Sequence, residues 1–201
     1  KKIESEVLKQ FKLVYKEGEI KKGRNLLAFE VAKRNVLNFL NVELESIKND
    51  EAIKIIALEQ TFERTLNHPN LPFPVLIKGN VDRIEERNGI IRIIDYKTGK
   101  VEKAGVTLKS WKGLTEDIKN DKIIQVLAYA YMFEKEANNK PIEAGIISFK
   151  NLRGGFLPFN FKEEKNENTV INTEILDNYL AQMILLLNEI LDETIPFKEK
   201  V

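Results

Sequence analysis

Apolar residues recur at helical spacing at both ends of this chain, and at strand spacing between them. Ile3, Val7, Leu8, Phe11 and Val14 mark an amphipathic helix over residues 1–16. After a turn at Gly18 to Gly23, a longer helix is expected from about Asn25 to Lys48. It carries Phe29, Ala32, Val36, Leu40, Leu44 and Ile47 on one stripe. From Ile53 to Thr65 the pattern becomes strand-like and runs into a connection containing Pro69, Pro72 and Pro74. A second strand, from Val75 to Glu85, should pair with the first. A third is marked by Ile90, Ile91, Ile93 and Ile94, interrupted only by Arg92. Thr115, Glu116 and Asp117 resemble a helix start, and that helix should run through Ala137. A strand from Ile142 to Phe149 follows, then a turn at Arg153-Gly154-Gly155 and a short strand from Phe156 to Phe161. A polar loop from Lys162 to Asn168 leads to a last helix with Ile175, Tyr179, Met183, Leu186 and Ile190 on one stripe. The expectation is an α/β fold, a central mixed β-sheet flanked by α-helices.

The stretch G-N-V-D-R-I-E-E-R-N-G-I-I-R-I-I-D-Y-K-T-G, residues 79–99, concentrates the chemistry. Asn88-Gly89 predicts a two-residue hairpin turn, because a type I′ turn needs positive φ at both central positions. Antiparallel pairing across that turn sets opposite one another residues whose numbers sum to about 177, which brings Asp82 beside Asp95. Side chains alternate along a strand, so Asp95 and Lys97 share a face while Tyr96 points away. Two carboxylates placed opposite one another repel unless a cation lies between them. Such an oxygen-rich site suits magnesium or manganese, which take one or two carboxylates, a carbonyl and water. A lysine on the same face can orient an attacking water and stabilise charge developing on a phosphate. Taken singly, each acid has a structural reading: Asp82-Arg83 as an exposed ion pair, and Asp95 to Gly99 as a strand end entering a glycine turn.

The chain has 201 residues, with 43% hydrophobic content, enough for a globular core that buries about 70% of the unfolded surface. There is no cysteine, so disulfides are excluded and a reducing compartment, the cytoplasm, is expected. The longest apolar run, Val126 to Phe133, is far short of the roughly 20 residues that span a bilayer, so no membrane partner is expected. With 32 basic against 31 acidic residues, the overall charge lacks the basic excess of a non-specific nucleic-acid binder. Locally, however, lysines 97, 100, 103, 109 and 112 face the single acid Glu102, a loop able to hold a phosphate backbone or to lie solvated at the surface. No Gly-rich phosphate loop, Walker motif or internal repeat is present. His68, the only histidine, precedes Pro69 in a loop and reads as loop chemistry.

G-N-V-D-R-I followed by I-I-D-Y-K-T-G resembles the signature of RecB/AddB-type nuclease domains of the PD-(D/E)XK superfamily. The resemblance extends to a following helix with Gln125 and Tyr129 four residues apart in I-I-Q-V-L-A-Y-A-Y, and covers roughly residues 23–150. It implies a restriction-endonuclease-like core in which Asp82, Asp95 and Lys97 are catalytic. Asp82, Asp95 and Tyr96 would bind Mg2+ or Mn2+, and Gln125 and Tyr129 would engage DNA. Members of this family carry a metal-binding histidine on an early helix, and this chain has none there. Glu30 is the candidate to take its place, with a surface or helix-dipole role as the alternative. Glu59 is similar to an acid that stands on the strand before the family motif and is a weaker candidate. The cysteine-ligated iron–sulfur cluster of some relatives is excluded by composition. The implied activity is a metal-dependent DNA exonuclease in double-strand-break repair and recombination, linked to a helicase domain or subunit. The chain, opening on Lys, is expected to be a single nuclease domain excised from a longer protein: helices over 1–50, sheet and Gln/Tyr helix over 51–161, last helix over 170–195. A catalytically silent DNA-binding copy and a structural interaction module remain open as alternatives.

Overall fold

The computed structural model describes residues 2–16, 22–163 and 166–197. The chain divides into two compact units, Lys1–Glu51 and Ala52–Val201. The first holds two helices, α1 (Lys2–Tyr15) and α2 (Gly23–Lys48). The turn expected between them falls mostly outside the described residues. Phe11 meets Phe29 edge to face with ring centroids 5.4 Å apart, fixing one contact between the helices. Of the stripe expected on α2 only Phe29 is buried, and Leu40, Leu44 and Ile47 are exposed. A period of 3.6 carries the covered line from Phe29 through Val36 to Phe39 and Glu43, so the later members of the expected stripe rotate off it.

The second unit is built on a five-stranded mixed sheet, in the order β1-β2-β3-β5-β6. Its strands are β1 (Ile53–Leu66), β2 (Val75–Arg87), β3 (Ile90–Lys97), β5 (Ile142–Ser148) and β6 (Phe156–Pro158). The first three form an antiparallel meander, and β3 pairs with β5 in parallel. A parallel neighbour requires a crossover, and α3 (Asp121–Phe133) supplies it. All seven residues of β5 are buried, as befits a central strand covered on both faces. A small second sheet joins β4 (Thr107–Leu108), β7 (Asn160–Glu163) and β8 (Asn166–Asn168). The expected strand from Phe156 to Phe161 is therefore divided between two sheets at the fully buried Phe159, and much of the expected polar loop is strand.

The crossover helix begins later than its sequence signals. Asp117 caps only a short 3₁₀ turn (Ile118–Asn120), its carboxylate accepting from the Lys119 N–H at 2.9 Å. The α-helix proper ends at Phe133, a further 3₁₀ turn carries the chain to Ala137, and Asn138 stops it in a left-handed conformation with φ 51°. The last helix, α4 (Thr173–Leu191), is capped by the Asn172 side chain, which accepts from the Ile175 N–H at 2.9 Å. Ile175, Tyr179 and Met183 bury its apolar stripe, and the helix contacts α3. One face of α3 covers the sheet. Phe62 of β1 packs edge to face on Phe133, and the Arg64 guanidinium lies 4.0 Å from the Tyr131 ring while donating to the Tyr131 carbonyl at 2.6 Å.

Arg83, Glu85 and Arg87, alternate residues of β2, are buried. Glu85, with no exposed surface, is ion-paired to the Arg83 guanidinium and accepts from Arg87 Nε at 2.7 Å. The Glu85 carboxylate offsets one of the two guanidinium charges, and its pairing with both lowers the cost of desolvating the group. Glu85→Gln should therefore lower the unfolding free energy by about 3–5 kcal/mol, read as a lower urea midpoint; an unchanged midpoint would show that the three charges are not coupled.

Candidate active site

The site grows from the hairpin. Asn88 and Gly89 both take positive φ, 51° and 84°, as a type I′ turn demands. The β2–β3 ladder then runs from Arg87↔Ile90 to Arg83↔Ile94, the register expected from the sequence. The next position would pair Asp82 with Asp95, and here main-chain pairing gives way to a side chain. The Tyr96 N–H donates to Asp82 Oδ2 at 2.7 Å. Asp82 thus occupies the place of a main-chain acceptor, its carboxylate turned toward the end of β3.

Asp95 and Lys97 share a face of β3, and their ion pair measures 2.8 Å from Nζ to Oδ2. The Asp95 side chain is buried while that of Lys97 is 30% exposed, so the ammonium is the member open to a substrate. Lys97 Nζ also donates to Gln125 Oε1 at 2.8 Å, and Gln125 Nε2 donates to the Tyr129 hydroxyl at the same distance. Gln125 and Tyr129, four residues apart on α3, are therefore hydrogen-bonded in series to Lys97, which is in turn ion-paired with Asp95. Tyr129 approaches β2 closely. A Cβ added to Gly79 would stand 3.0 Å from Tyr129 Cε1 and 3.1 Å from Met132 Cε, so the missing side chain at Gly79 makes room for the ring.

Burial pushes the Asp95 carboxyl above its ordinary range, the hydrogen bond and charge of Lys97 pull it down, and the Asp82 carboxylate pushes it up again. Burial likewise raises the Tyr129 hydroxyl, keeping it a neutral donor and acceptor. Two acids whose charges oppose each other, one of them desolvated, suit a hard divalent cation, which would relieve both penalties. Among the described residues no three His, Cys, Asp or Glu side chains gather in a metal-ligating group. Magnesium needs only one or two carboxylates, completing its shell with water and carbonyls, so Asp82 and Asp95 fit it.

The remaining candidates are placed as follows. Tyr96 points to the opposite face, where its ring stacks on Phe149 at 5.6 Å and its hydroxyl accepts from Arg83 at 3.3 Å. Glu30 lies on α2 of the helical unit, half exposed and ion-paired with Lys33 at 2.8 Å. Glu59 occupies the β1 position between the pairs Leu58↔Arg83 and Gln60↔Val81, hence across from Asp82 on the side away from β3. Its φ of 47° is rare for a strand residue, and its carboxylate accepts from Asn80 Nδ2 at 3.2 Å. The His68 ring accepts the Asn70 N–H in the proline-rich connection. Within the basic loop, Lys100 pairs with Glu102, while Lys103, Lys109 and Lys112 are exposed.

Ser148 and Asn151, which the sequence reading passed over, hold the turn after Lys97. The Ser148 hydroxyl donates to the Gly99 carbonyl at 2.8 Å and accepts from the Val101 N–H at 3.1 Å, while Asn151 Nδ2 donates to the Val101 carbonyl at 2.9 Å. The only local signal was a serine closing a strand that is otherwise apolar apart from Glu143. Asp121 and Lys122, at the start of α3, also lie within electrostatic reach of the site.

Residues 3–200 match the family model described as PD-(D/E)XK nuclease superfamily. A solved structure entitled "Crystal structure of SSO0001" shares 18% identity over 88% of this chain and 68% of its own, with a TM-score of 0.28. No curated protein matches the chain.

Because burial raises the Asp95 pKa above 3.8, the folded state binds a proton that the unfolded state has already released. Stability contributed at this residue is thus lost as the pH rises from 3.8 through the raised value. Asp95→Asn should accordingly melt at a higher temperature than the wild type at pH 7 in EDTA, with the gap closing in acid. A lower Tm for Asp95→Asn at pH 7 would contradict the electrostatic reading.

Proposed function

We propose that this chain, which belongs to the PD-(D/E)XK nuclease superfamily, is a magnesium- or manganese-dependent DNA exonuclease of the RecB type. Family membership implies a nucleic-acid substrate and phosphodiester hydrolysis; the exonuclease mode, the place in helicase-linked double-strand-break repair and recombination, and a cytoplasmic setting are our own reading. The observation that carries it is the continuous contact Asp95–Lys97–Gln125–Tyr129 beside Asp82, which unites on one face the acids, the lysine and the helix pair of the resemblance. A lysine held between an acid and an amide, with its ammonium reaching solvent, suits transition-state stabilisation better than phosphate binding alone.

Asp82 and Asp95, with a main-chain oxygen at Tyr96, would hold the cation, which when bound supplies Lewis acidity toward the scissile phosphate. Lys97, fixed from two sides, presents its ammonium to the phosphate and stabilises the charge that grows as a water oxygen bonds to phosphorus. The attacking water gives up a proton to solvent, the phosphorus–oxygen bond to the leaving sugar breaks, and the leaving oxygen takes up a proton from solvent. Gln125 orients the ammonium through its carbonyl while Tyr129 fixes the amide, so the pair limits the positions open to the lysine. We also propose Glu30 as a supplementary ligand in place of the family histidine; to act so, it must release Lys33.

Purified protein with end-labelled linear DNA should release mononucleotides or short products in Mg2+ and none in EDTA. Lys97→Ala should lower kcat by about 10²–10³ while leaving magnesium affinity, read by calorimetry, within twofold of wild type. Asp95→Ala should lose both activity and metal binding, and Glu30→Gln should impair cleavage less than Asp95→Ala does. Normal cleavage by Lys97→Ala would remove the lysine from the mechanism, and a wild type that binds DNA without cutting it would favour the silent copy.

A further inference from the structure

The line of α3 that meets the site does not end at Gln125. One turn toward the helix start, at i−3 from Gln125 and i−7 from Tyr129, the same face carries Lys122. Its Nζ is held by the adjacent Asp121, at 2.9 Å from Oδ1 and 3.3 Å from Oδ2, and Asp121 Oδ1 also accepts the Lys122 N–H at 2.7 Å. Among the described residues Asp121 is the only carboxylate paired with this lysine. The Lys122 side chain is 31% exposed and that of Asp121 57%, so the pair sits at the rim, open to solvent. Both belong to the site's electrostatic environment: Lys122 acts on Asp95, and Asp121 is acted on by Lys97.

A rim ammonium parked on a neighbouring carboxylate has a direct use if a polyanion must approach two acids. Asp82 and Asp95 repel a phosphate backbone, and Lys97, held by Asp95 and Gln125, serves the scissile phosphate alone. A second cation one helical turn away can take the phosphate next to the scissile one. An exposed pair between consecutive residues is worth little and exchanges readily, so an incoming phosphate can displace Asp121 at small cost. We propose that Lys122 is a phosphate-contact residue for the DNA strand entering this site, and that Asp121 competes with that phosphate for the Lys122 ammonium until DNA arrives. The proposal rests on the nuclease reading above and adds a specific contact to it.

Opposite responses of the two partners test it. Binding of a fluorescent single-stranded oligonucleotide is followed by anisotropy between 50 and 200 mM salt, with calcium replacing magnesium, and cleavage is measured in parallel in magnesium. One lost phosphate contact lowers the slope of log affinity against log salt by about 0.7 for a single strand. Lys122→Ala should show that drop and weaker binding at low salt, Lys122→Arg should restore the slope, and Asp121→Asn should bind about two- to fivefold tighter than wild type. Circular dichroism and Tm confirm that each variant folds. An unchanged slope in Lys122→Ala, with DNA binding by the wild type intact, overturns the contact alone. Equal or weaker binding by Asp121→Asn overturns the competition. A wild type that neither binds nor cleaves DNA overturns the nuclease reading, and this proposal with it.

Discussion

Two carboxylates on neighbouring strands repel, and much of the sheet unit can be read as the means of keeping them together. The antiparallel register that follows from Asn88-Gly89 brings Asp82 beside Asp95. Two interactions then hold them: the Tyr96 N–H on Asp82 and the Lys97 ammonium on Asp95. Each compensating group comes from the end of β3, one main-chain and one side-chain. The cost that remains falls on Asp95, whose burial favours its neutral form. A divalent cation bound between the two acids would relieve this electrostatic strain.

The opposite face of the same strands solves a different problem. Asp82-Arg83 and Asp95-Tyr96 are two dipeptides on paired strands, and in each the acid turns one way and its neighbour the other. Arg83 reaches the Tyr96 hydroxyl, Tyr96 stacks on Phe149, and Glu85 pairs with both Arg83 and Arg87. The charges behind the site thus fasten the two strands together where the main-chain ladder between them ends. No helix of the described residues is long and apolar enough to cross a membrane.

What the sequence disclosed followed from local rules. Period-2 and period-3.6 patterns located every long element, and a single Asn-Gly turn was enough to give the β2–β3 register, because its two positive φ angles leave little choice of loop. The misread segments were those decided by tertiary contacts. Phe159 breaks the late strand in two because it is drawn into the core, and the start of α3 slips to Asp121 because Asp117 caps a 3₁₀ turn first. Glu59 in a left-handed conformation, and the hold of Ser148 and Asn151 on the turn after Lys97, have no periodic signature. Of the candidate residues, Asp82, Asp95 and Lys97 could be brought together from strand alternation and register, whereas Gln125 and Tyr129 came from the family resemblance. Glu30 was not placed by spacing at all, since a helix in another unit carries no register with the sheet.

The chain of contacts from Asp95 to Tyr129 ends on an absence, and that absence ties the fold to the site. The Tyr129 ring, whose hydroxyl accepts from Gln125, lies so close to β2 that a Cβ at Gly79 would stand 3.0 Å from its Cε1 and press on it. Gly79 stands three residues before Asp82 on the same strand. The strand that carries one acid therefore also sets how closely α3 approaches, and α3 in turn fixes the lysine that faces the other acid. A small displacement of the helix would reach Lys97 through two hydrogen bonds of 2.8 Å each, which leave little slack for the ammonium to recover its position. Helix packing and site geometry are in this sense one constraint. The glycine of G-N-V-D-R-I belongs to the site as much as its aspartate does, although it contributes no atom to the chemistry.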